Sequence, residues 1–541
     1  MKKAFKIFSL MAASVLLTTS CIEETFPESG SATSEQVGAS SSAMEAALNG
    51  IPSQMVQGYY VYGEQVHETD MAYPAMMIAQ SEMLGDMYPL GSNSGYDWYR
   101  NYNTCDRSWG EETYFAYLPW FTFYRFIKAS NDVIGAVDFE NAPDNIRGLA
   151  AIAYAMRAFD YYMLTVLYTP MENEYTDISA VAGLTVPFVL DTTTGEDAKN
   201  NPRVPKDEMI AFILSDLDKA EEGLSKYTPA SKLFPNLAVV YGLKAKVYLW
   251  DEKYDKAAEY ARKAIDASGA TPMSAAELID VKTGFNTATK AWMWYGHYDA
   301  ESMGNLCNFI GWISGEADWG YSSLTRPSID RKLYDKISDT DYRKPWFLHP
   351  DKYAYYNYET SRDEAYIEEA PACLSLKFRC KGGDWENYAT GGAVDVPFMR
   401  VEEMYLIEAE AVGASQGVPA GVAKLNSFMQ SFRDPNYNCK ASELREFQLE
   451  VLTQMRIEFW GEGNAFPSAK RLRPDVIQNY EGTNAPADIF KMNFKGGKPW
   501  WTLCIPISEV QANTALEGKN NPNPTGTFKT PAPIGGFCEK K

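Results

Sequence analysis

The chain has 541 residues, 45% of them apolar and 14% aromatic, and a formal charge of −21. That length and apolar content allow a large buried core, while so acidic a surface repels phosphate backbones and anionic lipid, so we expect no nucleic-acid binding. None of its 8 cysteines falls in a CxxC pair, which leaves no sign of a zinc ribbon or a regular disulfide framework.

At the N-terminus Lys2, Lys3 and Lys6 flank the start of an apolar run, Ile7 to Leu17, that ends in Thr18, Thr19 and Ser20. These are the parts of a signal peptide, and the run is too short to stay in a bilayer as a span. A cysteine directly after the small residues can be acylated, and Leu17-Thr18-Thr19-Ser20-Cys21 resembles a bacterial lipobox. We therefore expect residues 1–20 to be a lipoprotein signal peptide and Cys21 to carry the lipid. Glu23 and Glu24 resemble the acidic export tag of Bacteroidetes-type surface lipoproteins, which points to the outer membrane, facing the exterior. Residues 21–42 are rich in Ser, Glu, Thr and Gly, a composition that buries little apolar surface and reads as a flexible tether. No second linker of this kind recurs, so residues 43–541 are expected to form a single body.

Within that body apolar residues recur at helical spacing: Ile152, Met156, Phe159, Met163 and Val166; Ile210, Ile213, Leu217, Ala220 and Leu224; Val239, Leu243, Val247 and Trp250. Further helical stretches run over about 121–137, 254–267, 399–414, 421–432 and 442–459, while alternating strand patterns are few and short. The fold class is mainly α. Ala245, Tyr248, Ala257 and Ala264 fall where a tetratricopeptide repeat wants small, aromatic, small and small residues. A helical-hairpin solenoid of about four pairs is the expectation, interrupted by long irregular insertions at 88–112, 292–325 and 339–396 that are candidates for ligand binding.

The three histidines show no metal-binding spacing, and no GxSxG elbow, phosphate loop or dinucleotide fingerprint occurs. We expect no cofactor, no metal and no catalysis. What stands out is aromatic density in the insertions: Tyr88, Tyr96, Trp98, Tyr99, Tyr102 and Trp109 in one, Trp292, Trp294, Tyr295, Tyr298, Trp312, Trp319 and Tyr321 in another. Sugar rings stack their C–H faces on indole and phenol rings, and their hydroxyls need amide, carboxylate or guanidinium partners. Asp97, Arg100, Asn101, Asp299, Asn305 and Asp318 stand beside these rings. The competing reading is satellite core under long loops, which fits Trp292 and Trp294 best because their segment is apolar.

Five stretches are similar to the SusD/RagB family of outer-membrane nutrient-binding lipoproteins. They are Ala155 to Tyr168; Leu237 to Ala264; Val396-Pro-Phe-Met-Arg-Val-Glu-Glu-Met-Tyr-Leu-Ile-Glu-Ala-Glu-Ala411; Met455-Arg-Ile-Glu-Phe-Trp-Gly-Glu-Gly463 with Lys470-Arg471; and Ile505-Pro-Ile-Ser-Glu-Val with Asn513 and Asn521-Pro522. The resemblance implies a tetratricopeptide-like scaffold, a glycan or oligosaccharide ligand and a SusC-type TonB-dependent transporter as partner, with only the lipid touching the membrane. It singles out Trp98, Tyr298 and Trp319 as ligand rings and Asn101 and Asp299 as their hydrogen-bonding partners; Tyr99 and Trp312 join them as candidates. Two other readings stay open: a peptide-capturing relative, which needs backbone hydrogen-bonding edges more than rings, and a surface glycoside hydrolase, which needs two facing carboxylates.

Overall fold

The structure is a computed structural model and describes residues 41–56, 72–91, 100–105, 108–304, 306, 308–351 and 360–541. The expected signal peptide, Cys21 and nearly all of the tether lie outside the described residues.

The main helices are α1 (Ser41–Val56), α2 (Tyr73–Leu84), α3 (Tyr114–Ile134), α4 (Asp144–Tyr168), α5 (Lys206–Leu224), α6 (Leu237–Trp250), α7 (Tyr254–Ser268), α8 (Val401–Gln416), α9 (Val418–Phe432) and α10 (Leu444–Glu458). From α3 to α10 each packs on its successor, as a mainly helical tetratricopeptide-like scaffold requires. The α6/α7 hairpin shows how sequence dictates this. Asn236 caps α6 by accepting the Val239 N–H at 3.1 Å. Helix α7 buries its small face, Ala257, Ala258, Ala261 and Ala264, and ends at Gly269, whose φ of +57° favours glycine. Helices α8 and α9 touch backbone to backbone: a Cβ on Gly421 would stand 2.5 Å from the Gly413 Cα.

Helix α2 is buried on every side, so no amphipathic stripe marks it in the sequence. Short strands tie the insertions down. β1 (Met87–Pro89) pairs antiparallel with β3 (Pro327–Ile329), and β2 (Trp292–His297) with β4 (Asp395–Arg400). The second pair closes the two ends of the long insertion between α7 and α8. Trp292 and Trp294 lie in β2 and are buried in the main core, as their apolar segment suggested.

A buried charge network locks that insertion onto the repeats. Arg400 donates to Glu462 at 2.8 and 3.0 Å and to Glu458 at 2.9 Å; Arg433 donates to Glu458 at 2.7 and 2.8 Å and to Glu402 at 3.0 Å. Lys377 reaches Glu462 at 2.6 Å, and Arg343 bridges Asp341 and Glu458. Burial alone would push the Glu458 carboxyl up, but Arg433 and Arg400 overrule it and hold it well below the usual carboxylate range. Lys377 is pushed down to about 8 by burial, against the pull of Glu462.

Among the described residues Cys373, Cys380, Cys439, Cys504 and Cys538 are buried and form no disulfide, and Cys105 is half-buried. They behave as small apolar side chains.

Candidate functional site: an aromatic and arginine cluster in the long insertion

The short helices Phe309–Ile313 and Ser322–Thr325 place two rings face to face: Trp312 and Tyr321 stack at 4.4 Å between centroids, 15° from parallel. Tyr321 is half-buried while Trp312 is only 2% exposed, so Tyr321 is the face that solvent reaches. Trp319, 6% exposed, packs beneath the same surface, with Gly391 so near that a Cβ there would lie 2.8 Å from its ring.

A second column stands beside these rings. The Arg362 guanidinium lies 3.8 Å from the Tyr366 ring centroid and 3.5 Å from that of Trp385, between the two rings. Arg326 covers Tyr366 at 5.0 Å and donates to its hydroxyl, which in turn donates to the Gly315 carbonyl. The Asp318 N–H donates to the Trp385 carbonyl at 3.4 Å, joining the two columns. Glu316, fully buried, is occupied by Arg379 at 2.7 Å, the Thr360 hydroxyl at 2.5 Å and the Ser361 N–H at 2.9 Å. Trp385 is half-buried, and Tyr388 nearby in sequence is 52% exposed.

Only some of the sequence candidates fall within the described residues. Trp98 and Tyr99 lie outside the described residues; Asn101 falls in the helical turn Arg100–Asn103, its side chain not described. Gly91, the last described residue before that segment, donates to the Thr325 carbonyl at 2.8 Å, beside the Tyr321 helix. Tyr298 is 1% exposed, and its N–H donates to the Val394 carbonyl at 2.8 Å. Asp299 is exposed, with Oδ1 accepting the N–H groups of Glu301 and Ser302 at 2.9 and 2.7 Å; those bonds and the Ser302 hydroxyl hold its carboxyl below the usual range. Tyr298, Trp312 and Trp319 are thus buried, while Tyr321, Trp385 and Tyr388 are more accessible. Sequence reasoning passed over Trp385, Tyr388, Arg362 and Tyr366, since rings at irregular spacing in a loop carry no periodic signal.

A groove of about 1330 Å³ lies elsewhere, between α1 and α3, lined by Tyr117, Phe121 and Tyr124 among others. Among the described residues no cluster of His, Cys, Asp and Glu suits a metal, and no helix is long and apolar enough to cross a membrane.

A helical repeat scaffold that displays rings and guanidinium groups from one long insertion is a binding architecture. Residues 53–249 match the family model SusD-like_3, described as "Starch-binding associating with outer membrane". Solved structures share the fold over most of the chain. A SusD-like carbohydrate binding protein from Bacteroides vulgatus has a TM-score of 0.69 at 22% identity, covering 89% of this chain and 98% of its own. A SusD superfamily protein from Bacteroides thetaiotaomicron gives 0.64 at 18%, covering 88% and 98%. The surface glycan-binding protein A from Bacteroides fluxus gives 0.59 at 15%, covering 89% and 99%. No functionally curated protein matches the chain. The match over residues 53–249 and these structural likenesses show that the chain has the fold of SusD-like proteins.

Proposed function

We propose that this chain is a non-catalytic lipoprotein, anchored through Cys21 in the outer membrane and facing the exterior, that captures oligosaccharides and delivers them to a SusC-type TonB-dependent transporter. The observation that carries this reading is the cluster of stacked rings with Tyr321 and Trp385 half open to solvent. Such rings accept the apolar faces of sugars, and Asp318, Arg362 and Asn387 beside them offer partners for hydroxyls. Trp312 and Trp319 support this surface, and Trp98, Tyr99, Asn101, Tyr298 and Asp299 are proposed as further ligand-binding residues. Binding without turnover fits a cluster whose buried carboxylate, Glu316, is committed to Arg379, Thr360 and Ser361. The names of the B. vulgatus and B. fluxus relatives agree with a glycan ligand.

The test is affinity electrophoresis and calorimetry of the Cys21→Ser full chain against a glycan panel. Tyr321→Ala with Trp385→Ala should lose binding, each ring contributing about 1 kcal/mol. Unchanged retardation by that double variant, together with loss in Phe121→Ala, would move the site to the groove. Retention of a peptide mixture and of no glycan would make this a peptide-capturing relative. Reducing ends released in a way that one carboxylate-to-amide change abolishes would make it a hydrolase. Delivery is checked by copurification of a TonB-dependent barrel with the lipidated chain from outer membranes.

A further inference from the structure

We propose that the column Arg326–Tyr366–Arg362–Trp385 is a subsite for the acidic group of a charged oligosaccharide, a uronate carboxylate or a sugar sulfate. This deepens the glycan-capture reading of the same surface and rests on it.

The column sets two guanidinium groups against one ring, with a second ring against Arg362. Like charges this close repel, and proteins normally place a carboxylate between them. Here the carboxylate at hand is used elsewhere: Glu316 pairs with Arg379, while Arg362 receives from that residue only a backbone carbonyl, at 2.9 Å. The Arg362 Nε is buried and has no acceptor, and Arg326 spends one nitrogen on a phenol hydroxyl. Two cations therefore stand without a carboxylate partner among the described residues, in a chain whose formal charge is −21.

The rings hold the guanidinium groups flat and rigid, which fixes the fork that two oxygens of a carboxylate or sulfate engage. The Trp385 link to Asp318 sets the column against the Trp312–Tyr321 stack. A sugar resting on Tyr321 or Trp385 can thus turn a ring substituent toward Arg362. Charged glycan, rather than an acidic peptide, is favoured because the cations adjoin stacking faces and not an open strand edge.

The experiment uses the Cys21→Ser full chain and three probes in calorimetry: an oligogalacturonide, the same oligosaccharide methyl-esterified, and a sulfated chondroitin oligosaccharide. Esterification removes charge and little else. We expect at least one acidic probe to bind about tenfold more tightly than the ester, with affinity falling as salt rises from about 0.05 to 0.5 M. Arg362→Met keeps an apolar stem between the rings and should abolish the preference for acid over ester and its salt dependence, whatever the ester's own affinity becomes; Arg362→Lys should restore part of the preference. If Arg362→Met unfolds, the comparison of acid with ester on the unaltered chain decides alone. Equal affinity for acid and ester, or binding of neutral glycans only, overturns the subsite and leaves glycan capture standing. Binding of no sugar from a wider panel removes the capture reading itself.

Discussion

Glu458→Gln removes one negative charge from the centre of the molecule and nothing from its volume. The carboxylate is fully buried and accepts from Arg400, twice from Arg433, and from Arg343 at 3.3 Å. Four cations, Arg343, Lys377, Arg400 and Arg433, face four anions, Asp341, Glu402, Glu458 and Glu462. Neutralising Glu458 leaves a net buried positive charge and turns an amide N–H toward a guanidinium. Breaking a buried pair in this way costs about 3–5 kcal/mol. Urea unfolding followed by tryptophan fluorescence at pH 7 measures it. The sign against pH follows from the depressed carboxyl: its stabilisation is present above the unfolded value of about 4.3 and is lost as pH falls through the folded one. The gap between wild type and variant should therefore close in acid. A loss under about 1 kcal/mol, or a gap that widens on acidification, would refute the view that this network clamps the insertion to the repeats.

Two further substitutions probe the scaffold. Asp160, in α4, is fully buried with neither oxygen hydrogen-bonded, and burial pushes its carboxyl well above the usual range. Since the unfolded chain ionises it above about 3.9, holding the proton costs the native state about 1.4 kcal/mol for each pH unit until the folded carboxyl also ionises. Asp160→Asn should therefore gain on wild type as pH rises from 4, and a difference flat with pH in parallel denaturation series contradicts this. Gly421→Ala would press a methyl into the Gly413 backbone and the Phe447 ring at 2.6 Å. We expect a loss of about 1–3 kcal/mol with glycan binding retained in the folded fraction. Thermal unfolding within the error of wild type would show that α8 and α9 can part more easily than their contact suggests.

Much of the scaffold was legible in the sequence because amphipathic periodicity is a local signal. Helices α5 to α10 start and end within a few residues of the stretches marked by Ile210, Val239 and their successors, since each buries one stripe and shows water the other; α4 begins at Asp144, well ahead of Ile152. Helix α2 was not legible, because a helix buried all round has no stripe. The motif Met455 to Gly463 was visible as a resemblance, yet its physical sense emerges only when Glu458 and Glu462 meet arginines from β4 and from the end of α9.

The sequence by itself determined the helical class, the acidic surface, the family resemblance and the insertion that is rich in rings, for these depend on composition and short-range pattern. Which rings face solvent was decided by tertiary structure alone. Tyr298, Trp312 and Trp319 looked no different from Tyr321 and Trp385 along the chain, but the first three are buried and the others are partly exposed. The pairing of Arg362 with Trp385 and Tyr366 likewise joins residues that no spacing rule connects. Stacking and desolvation depend on neighbours in space, and in irregular loops those neighbours are set by the packed whole.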